Sequence, residues 1–153
     1  MPTQIELERF LPYRLSVLSN QISDAIAAAY QERFGLTIPE WRVIAVMARY
    51  PGLSAREVSH RTRMDAVAVS RAVCKLVSAG RVKRDVADSD RRRSMLRLSR
   101  AGTRVYAVVA PLALQYEREL IAELSTSELA VLDRALQKLA RRAETLTLEN
   151  ELD

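Results

Sequence analysis

Apolar residues in the N-terminal segment recur at Leu7, Phe10/Leu11, Leu15, Leu18, Ile22, Ala25/Ile26 and Ala29. Steps of three and four draw one stripe along a helix, so the spacing predicts a helix from about Glu6 to Phe34. Pro12 near its beginning predicts either a start or a kink there. Gly35 predicts its stop, because glycine adopts the left-handed cap conformation at little cost. From Pro12 to Phe34 such a helix runs about 35 Å, too long for a small domain to cover one face of it unaided.

Thr37-Ile-Pro-Glu40 reads as a capping box with proline in the first turn, opening a helix whose Trp41, Ile44, Ala45 and Ala48 are expected to face inward. Pro51-Gly52 ends it. Ser54-Ala-Arg-Glu57 reads as a second capping box, starting a short helix that carries Val58. A turn through Arg63-Met64 leads to Asp65, the expected N-cap of a helix over Ala66–Ala79, closed by Gly80.

The period then changes. Val82, Arg84 and Val86 alternate with charged neighbours, and after Asp88-Ser-Asp90 and three arginines the apolar residues Met95, Leu96 and Leu98 resume. Two short strands around a charged turn predict a β-hairpin. Helical spacing returns from about Arg100 through Val105, Val108/Val109, Leu112, Tyr116, Leu120 and Leu124, with a kink expected at Pro111. Ser125 or Thr126 caps a last helix, in which Leu129, Leu132, Leu136, Leu139, Ala143 and Leu146 are spaced 3-4-3-4-3. That is a two-helix packing seam. It suits an intrachain bundle or an oligomer interface, and the second is favoured because the first helix also needs a partner.

Composition narrows the class. A chain of 153 residues that is 48% apolar, with four Gly and five Pro, suits one mostly helical domain. No apolar run reaches the length of a membrane span, and the first residues lack the pattern of a signal peptide. One cysteine excludes an internal disulfide and fits a reducing, cytoplasmic setting. One histidine, and no Gly-rich phosphate loop or metal-spaced ligands, leave catalysis, metals and cofactors without visible residues.

Charge is segregated. Residues 54–104 hold fourteen Lys/Arg against five Asp/Glu, a net of +9, whereas the other 102 residues hold ten against fourteen, a net of −4. A basic surface of this kind suits a polyanion, and nucleic acid is the commonest one. Two short helices joined by a tight turn and followed by a basic hairpin form a winged helix-turn-helix. A helix is about 10–12 Å wide, which matches the major groove of B-DNA.

Several fragments, in order and spacing, resemble the multiple-antibiotic-resistance regulator (MarR) family. They are Leu36-Thr-Ile-Pro-Glu-Trp-Arg-Val-Ile44, Leu53-Ser-Ala-Arg-Glu-Val58, Val69-Ser-Arg71 with Leu76, Asp90-Arg-Arg92, Leu96-Arg-Leu-Ser99 and Ala101-Gly102. The most specific is Asp-Arg-Arg after a helix-turn-helix and before Leu-x-Leu-Ser-x-x-Gly. The resemblance spans about Leu15 to Leu146. It implies a mainly α fold over residues 1–153, with a winged helix-turn-helix lobe at 36–99 and a helical dimerisation lobe formed by 5–34 and 100–148. It also implies a homodimeric, cytoplasmic, DNA-binding transcriptional regulator, a repressor released from an inverted-repeat operator by a small aromatic or anionic effector. The alternative is an architectural DNA-binding protein without an effector, which a footprint confined to one palindrome separates.

By the same resemblance the helix from Asp65 to Ala79 is the recognition helix. Val69, Val73 and Leu76 face the core, and Ala66, Val67, Ser70, Arg71 and Lys75 face or flank DNA. Ala66, Val67 and Ala68 depart from the family's polar run, so readout leans on thymine methyls and on Arg71. At the wing, Asp90 holds Arg92 toward the minor groove while Arg91 and Arg93 meet phosphates. Cys74, next to Val73, reads as a small packed residue rather than a redox sensor, and His60 as a surface or phosphate-contacting residue. Tyr13, Arg14, Trp41 and Arg49 are the candidate effector-lining residues, since an aromatic ring with a cation suits an aryl carboxylate.

Overall fold

The computed structural model describes residues 2–86 and 94–146. A 3₁₀ turn at Leu7–Arg9 is followed by α1 (Leu11–Ala27), α2 (Gln31–Phe34), α3 (Ile38–Arg49), α4 (Ala55–Thr62) and α5 (Ala66–Ser78). Strands β1 (Val82–Val86) and β2 (Ser94–Leu98) then pair antiparallel, and α6 (Arg100–Ile121) and α7 (Thr126–Thr145) complete the chain. The chain divides into two compact units, 1–113 and 114–153, with the boundary inside α6. No helix among the described residues is long and apolar enough to cross a membrane.

The expected first helix is broken twice. Phe10 is extended and caps α1, with Pro12 in the first turn, so the proline marks a start and not a kink. At its far end the helix gives way to a turn at residues 28–30 before α2 resumes. Tyr30 sits at that break with φ −131° and is 1% exposed. Leaving the helical path lets its ring enter the core, which a continuous stripe on one face does not allow. The stripe itself stays in solvent: Leu7, Phe10, Leu11, Leu15 and Leu18 are each 42–50% exposed.

In α3 both halves of the Thr37–Glu40 capping box are present. The inward face consists of Val43, Ile44 and Met47, with Trp41, Ala45 and Ala48 only half-buried. The sequence reading therefore placed this face about a third of a turn away, because two alanines were weighted equally with the larger Val43 and Met47. Ser54 Oγ accepts from the Glu57 amide to start α4. Val58, Val69, Ala72, Val73, Leu76, Val82, Leu96, Val105 and Val109 close the core of the first unit. Each large buried side chain contributes about 1.5–3 kcal/mol of transfer free energy.

Beyond the expected hairpin, whose strands set Val82 opposite Leu98 and Arg84 opposite Leu96, Leu53 bridges to Leu96. Leu96 N–H donates to the Leu53 carbonyl at 2.8 Å and the Gly52 N–H to the Leu96 carbonyl at 2.9 Å. The chain before α4 thus acts as a one-residue third strand. Too short to show alternation, it left no sequence signal.

A close approach ties the hairpin to α6. Gly80, at φ 72°, ends α5 in a Schellman arrangement: its N–H reaches the Val77 carbonyl and the Arg81 N–H reaches the Leu76 carbonyl. Ser99 Oγ donates to the Gly80 carbonyl at 2.6 Å and accepts from the Gly102 N–H at 3.1 Å, while the Ser99 N–H donates to the Arg81 carbonyl. A Cβ on Gly102 would lie 2.1 Å from the Arg81 carbonyl oxygen. That is why Leu-Ser-x-x-Gly follows the hairpin. Gly102→Ala forces the first turn of α6 off β1 and is expected to lower unfolding free energy by about 1–3 kcal/mol in urea titration. A change within error would show that the junction yields freely.

In the second unit α7 begins with the full Ser125–Glu128 capping box. None of its residues is buried: Leu132, Leu136 and Leu139 are 43%, 47% and 43% exposed. Helix α6 continues through Pro111 as one element from Arg100 to Ile121, although the proline has no N–H to donate to the Ala107 carbonyl.

Candidate nucleic-acid interface

The helix-turn-helix is set by side chains that cap its turn. Arg63, in the left-handed conformation with φ 57°, ends α4. For a non-glycine residue this costs roughly 1 kcal/mol, and three hydrogen bonds stabilise the turn against it. Ser59 Oγ donates to the Met64 carbonyl at 2.8 Å, Thr62 Oγ1 to the Val58 carbonyl at 2.7 Å, and the Met64 N–H to Thr62 Oγ1 at 3.2 Å. Asp65 then caps α5 by accepting from the Ala68 amide. Val58 and Val69, both fully buried, anchor the two helices on either side.

At about 100° per residue the buried positions 69, 72, 73 and 76 of α5 define one face. Directly opposite lie Val67, Cys74 and Ser78, with Ser70 and Arg71 on either side and Ala66 and Lys75 at the margins, all exposed. The five residues expected to meet DNA therefore share one outward surface about 14 Å long. Cys74 is exposed on it, which corrects the expectation of a packed residue. Adjacency to Val73 suggested burial, but one residue along a helix is a rotation of about 100°, enough to leave a narrow core face. Cys74 and Ser78 were the positions that sequence reasoning missed, although their spacing of seven and eleven from Val67 marks the same face.

The hairpin's outward face carries Lys83, Asp85, Met95 and Arg97, and Asp85 Oδ2 holds Arg97 Nε at 2.9 Å. Asp90, Arg91, Arg92 and Arg93 lie outside the described residues. His60 is exposed on α4.

The four proposed effector-lining residues do not converge within one chain. Trp41 is stacked between Tyr30, at 5.5 Å between ring centroids, and Tyr106, at 6.0 Å. Arg49 lies over Tyr50 at 4.9 Å from the ring, with Arg61 on the same ring at 3.9 Å. Helix α1 meets α3 where Arg42 Nη2 donates to Ser23 Oγ at 3.0 Å. Exposed Tyr13 and Arg14 precede Ser23 by nine or ten residues, about 15 Å along the axis. The sequence signal missed here was Tyr30 and Tyr106, aromatic residues flanking the single tryptophan.

Three comparisons bear on this arrangement. The profile described as MarR family matches residues 34–93. A protein of Thauera aromatica, assigned as a transcriptional regulatory protein for the hcr operon, is 27% identical over 108 residues. The match takes in 71% of this chain and 65% of that protein, so the chain spans about two thirds of its relative's length. A MarR/EmrR family transcriptional regulator from Acinetobacter sp. ADP1 superposes with a TM-score of 0.84 at 27% identity, over 93% of this chain and 100% of that one. The PcaV transcriptional regulator of Streptomyces coelicolor, solved in complex with its natural ligand, superposes at 0.77 and 23% identity, over 93% and 99% of the two chains.

Burial raises the Tyr30 hydroxyl above its ordinary pKa of 10.0; Arg42 lowers it and Asp24 raises it further. Below about pH 10 the hydroxyl is protonated folded and unfolded, so burial of the ring contributes in full. As pH climbs through the unfolded value toward the folded one, the unfolded chain releases its proton first and stability falls. Tyr30→Phe removes this titration. The stability gap between wild type and Tyr30→Phe, read from urea midpoints by tryptophan fluorescence, should therefore shift in favour of the variant between about pH 8 and pH 10.5. A pH-independent gap would place the hydroxyl in free solvent.

Proposed function

We propose, from the MarR-family match over residues 34–93 and the structural likeness to a MarR/EmrR regulator, that the chain is a homodimeric, sequence-specific DNA-binding transcriptional regulator of that family. The observation that carries the reading is the outward surface of α5, free of acidic side chains between Ala66 and Ser78, within a stretch, residues 54–104, of net charge +9. Val67 is 55% exposed there, flanked by Ser70 and Arg71. An exposed valine costs solubility in water but packs against a thymine methyl, and the arginine fork suits guanine O6 and N7. The protein acts as a repressor on an inverted repeat, with Asp90 orienting Arg92 in the minor groove and Arg91 and Arg93 meeting phosphates. Catalysis has no place in this reading.

Dimerisation follows from what a single chain leaves uncovered. Apolar stripes on α1 and α7, with leucines exposed by four tenths or more at 3-4 spacing, exceed what an isolated helix keeps in water. A second copy covers them, and the long N- and C-terminal helices provide the interface. The effector of this reading is a small aromatic or anionic molecule. Its support is that PcaV, a structural relative, was solved with its natural ligand, and that Trp41 of α3 stacks between Tyr30, in the turn after α1, and Tyr106 of α6. Tyr13 and Arg14 would complete such a site only from the partner subunit.

Two measurements test the proposal. Leu136→Asp puts an unpaired charge in the seam, at a cost of several kcal/mol to the dimer. Light scattering should then report a monomer with weakened operator binding, whereas a dimer that binds normally would make the seam irrelevant to assembly. On DNA, two recognition helices related by a twofold should protect half-sites about 10 bp apart. Arg71→Ala should lose about 1–3 kcal/mol and relax discrimination at one position per half-site, measured by fluorescence anisotropy across a set of single-base operator variants. Uniform weakening across all sequences would reduce Arg71 to a phosphate contact.

A further inference from the structure

Four cations meet in a cleft of about 440 Å³ at the foot of the hairpin, away from the outward surface of α5. Lys83, Arg97, Arg100 and Arg104 line it together with Thr103 and Leu98. The arrangement is costly in three separate ways. Lys83 stands directly opposite Arg97 in the strand register, and like charges so paired repel. Arg100 and Arg104 are four apart on one helix, a spacing that brings their side chains together. Both belong to the beginning of α6, where the helix dipole is positive and no acidic residue occupies the first turn. Among the described residues, the ion pair in the cleft is Asp85 with Arg97, at 2.9 Å, and both side chains remain half exposed.

Charges placed against strand register, helix spacing and helix dipole at once are stabilised by an anion seated among them. We propose that this cleft is a binding site for a phosphate-bearing polyanion. With one of the four cations paired among the described residues, the cleft suits a group carrying two or more phosphates, and the guanidinium forks of Arg100 and Arg104 match phosphate oxygens in pairs. Arg97, held through its Nε by Asp85, keeps its terminal nitrogens for the ligand. The same chemistry has two sources: a free small polyphosphate, or DNA backbone beyond the reach of α5. Lys83 follows the C-terminal end of α5, some 16 Å along that helix from Val67, so the cleft adds to the reading surface rather than belonging to it.

The test uses the full chain and inorganic tripolyphosphate, followed by calorimetry at low salt, which requires no operator and so stands apart from the DNA-reading role. Wild type should bind one equivalent per subunit. Arg100→Gln with Arg104→Gln should weaken that binding roughly tenfold or more, whereas Arg134→Gln with Arg141→Gln, which removes the same charge from α7, should leave it unchanged. Without anion the first double variant should melt about 1–3 °C higher than wild type, since repulsion is relieved; this also reports that it is folded. The salt dependence of DNA binding then separates the sources. A slope reduced by about 0.9 per lost phosphate contact assigns the cleft to DNA backbone, and an unchanged slope assigns it to a free polyphosphate. Absence of saturable binding, or equal loss in the two double variants, overturns the site.

Discussion

Helix α6 starts so close to β1 that no side chain fits between them, and the relation of the hairpin to every other element depends on this contact. Ser99 spends its hydroxyl on both partners, donating to the Gly80 carbonyl and accepting from the Gly102 amide, and Gly102 provides the space. The same few residues end α5 and begin β1. The C-terminus of α5, the base of the hairpin and the first turn of α6 are therefore one joint. Packed joints of this sort have few intermediate positions. A tilt of α6 at its start must either carry the hairpin with it or break the hydrogen bonds that Ser99 makes to the Gly80 and Arg81 carbonyls. On the proposed function, this joint is how an event on the helical side is felt by α5 and the wing.

Electrostatics and packing pull in different directions over the basic stretch. Its core is ordinary, with valines, leucines and an alanine buried to a few percent exposure or less. Its surface is not, because fourteen cations face five acids within fifty-one residues. Nothing in the packing demands that excess: the outward positions of α5 and of the hairpin are solvent-exposed, and neutral side chains there would fold as well or better. The excess is a cost in the isolated chain that disappears when a polyanion is present. Association driven in this way is long in range and sensitive to salt.

Where hydrophobic period and cap chemistry agreed, the sequence was sufficient. The Thr37–Glu40 box, the Asp65 cap, the start of the last helix at Ser125 or Thr126, the hairpin and the buried Val69, Val73 and Leu76 were all readable. It failed where tertiary contact overrode local pattern. The break at residues 28–30 carries no proline or glycine; it exists because Tyr30 is more stable stacked against Trp41 than continuing a stripe. The Leu53–Leu96 bridge is one residue long and has no period to detect. Cys74 was misplaced because neighbourhood in sequence was used where angle around the helix decides. The outward residues of α5 were recognisable as a set, but their order around the helix, with Val67 and Cys74 at its centre, needed the positions of the buried ones. The effector quartet was chosen by chemistry alone, and nothing in residue type tells how far apart Tyr13 and Trp41 stand.

The two units differ in what sustains them. Residues 27–109 contain the whole buried apolar cluster, enough for that region to hold its shape alone. Helix α7 buries nothing, though its caps are complete and its leucines keep strict spacing. Twenty residues of helix are marginal in water even with good caps, because propagation gains little per residue once nucleation has been overcome. The sequence nonetheless carries the features of a buried helix, a complete N-terminal cap and an apolar seam from Leu129 to Leu146. The stability missing from a single chain must then come from association, and for such a protein the unfolding free energy of the helical region depends on subunit concentration. Folding of α7 and assembly of the dimer are, on this reading, the same event.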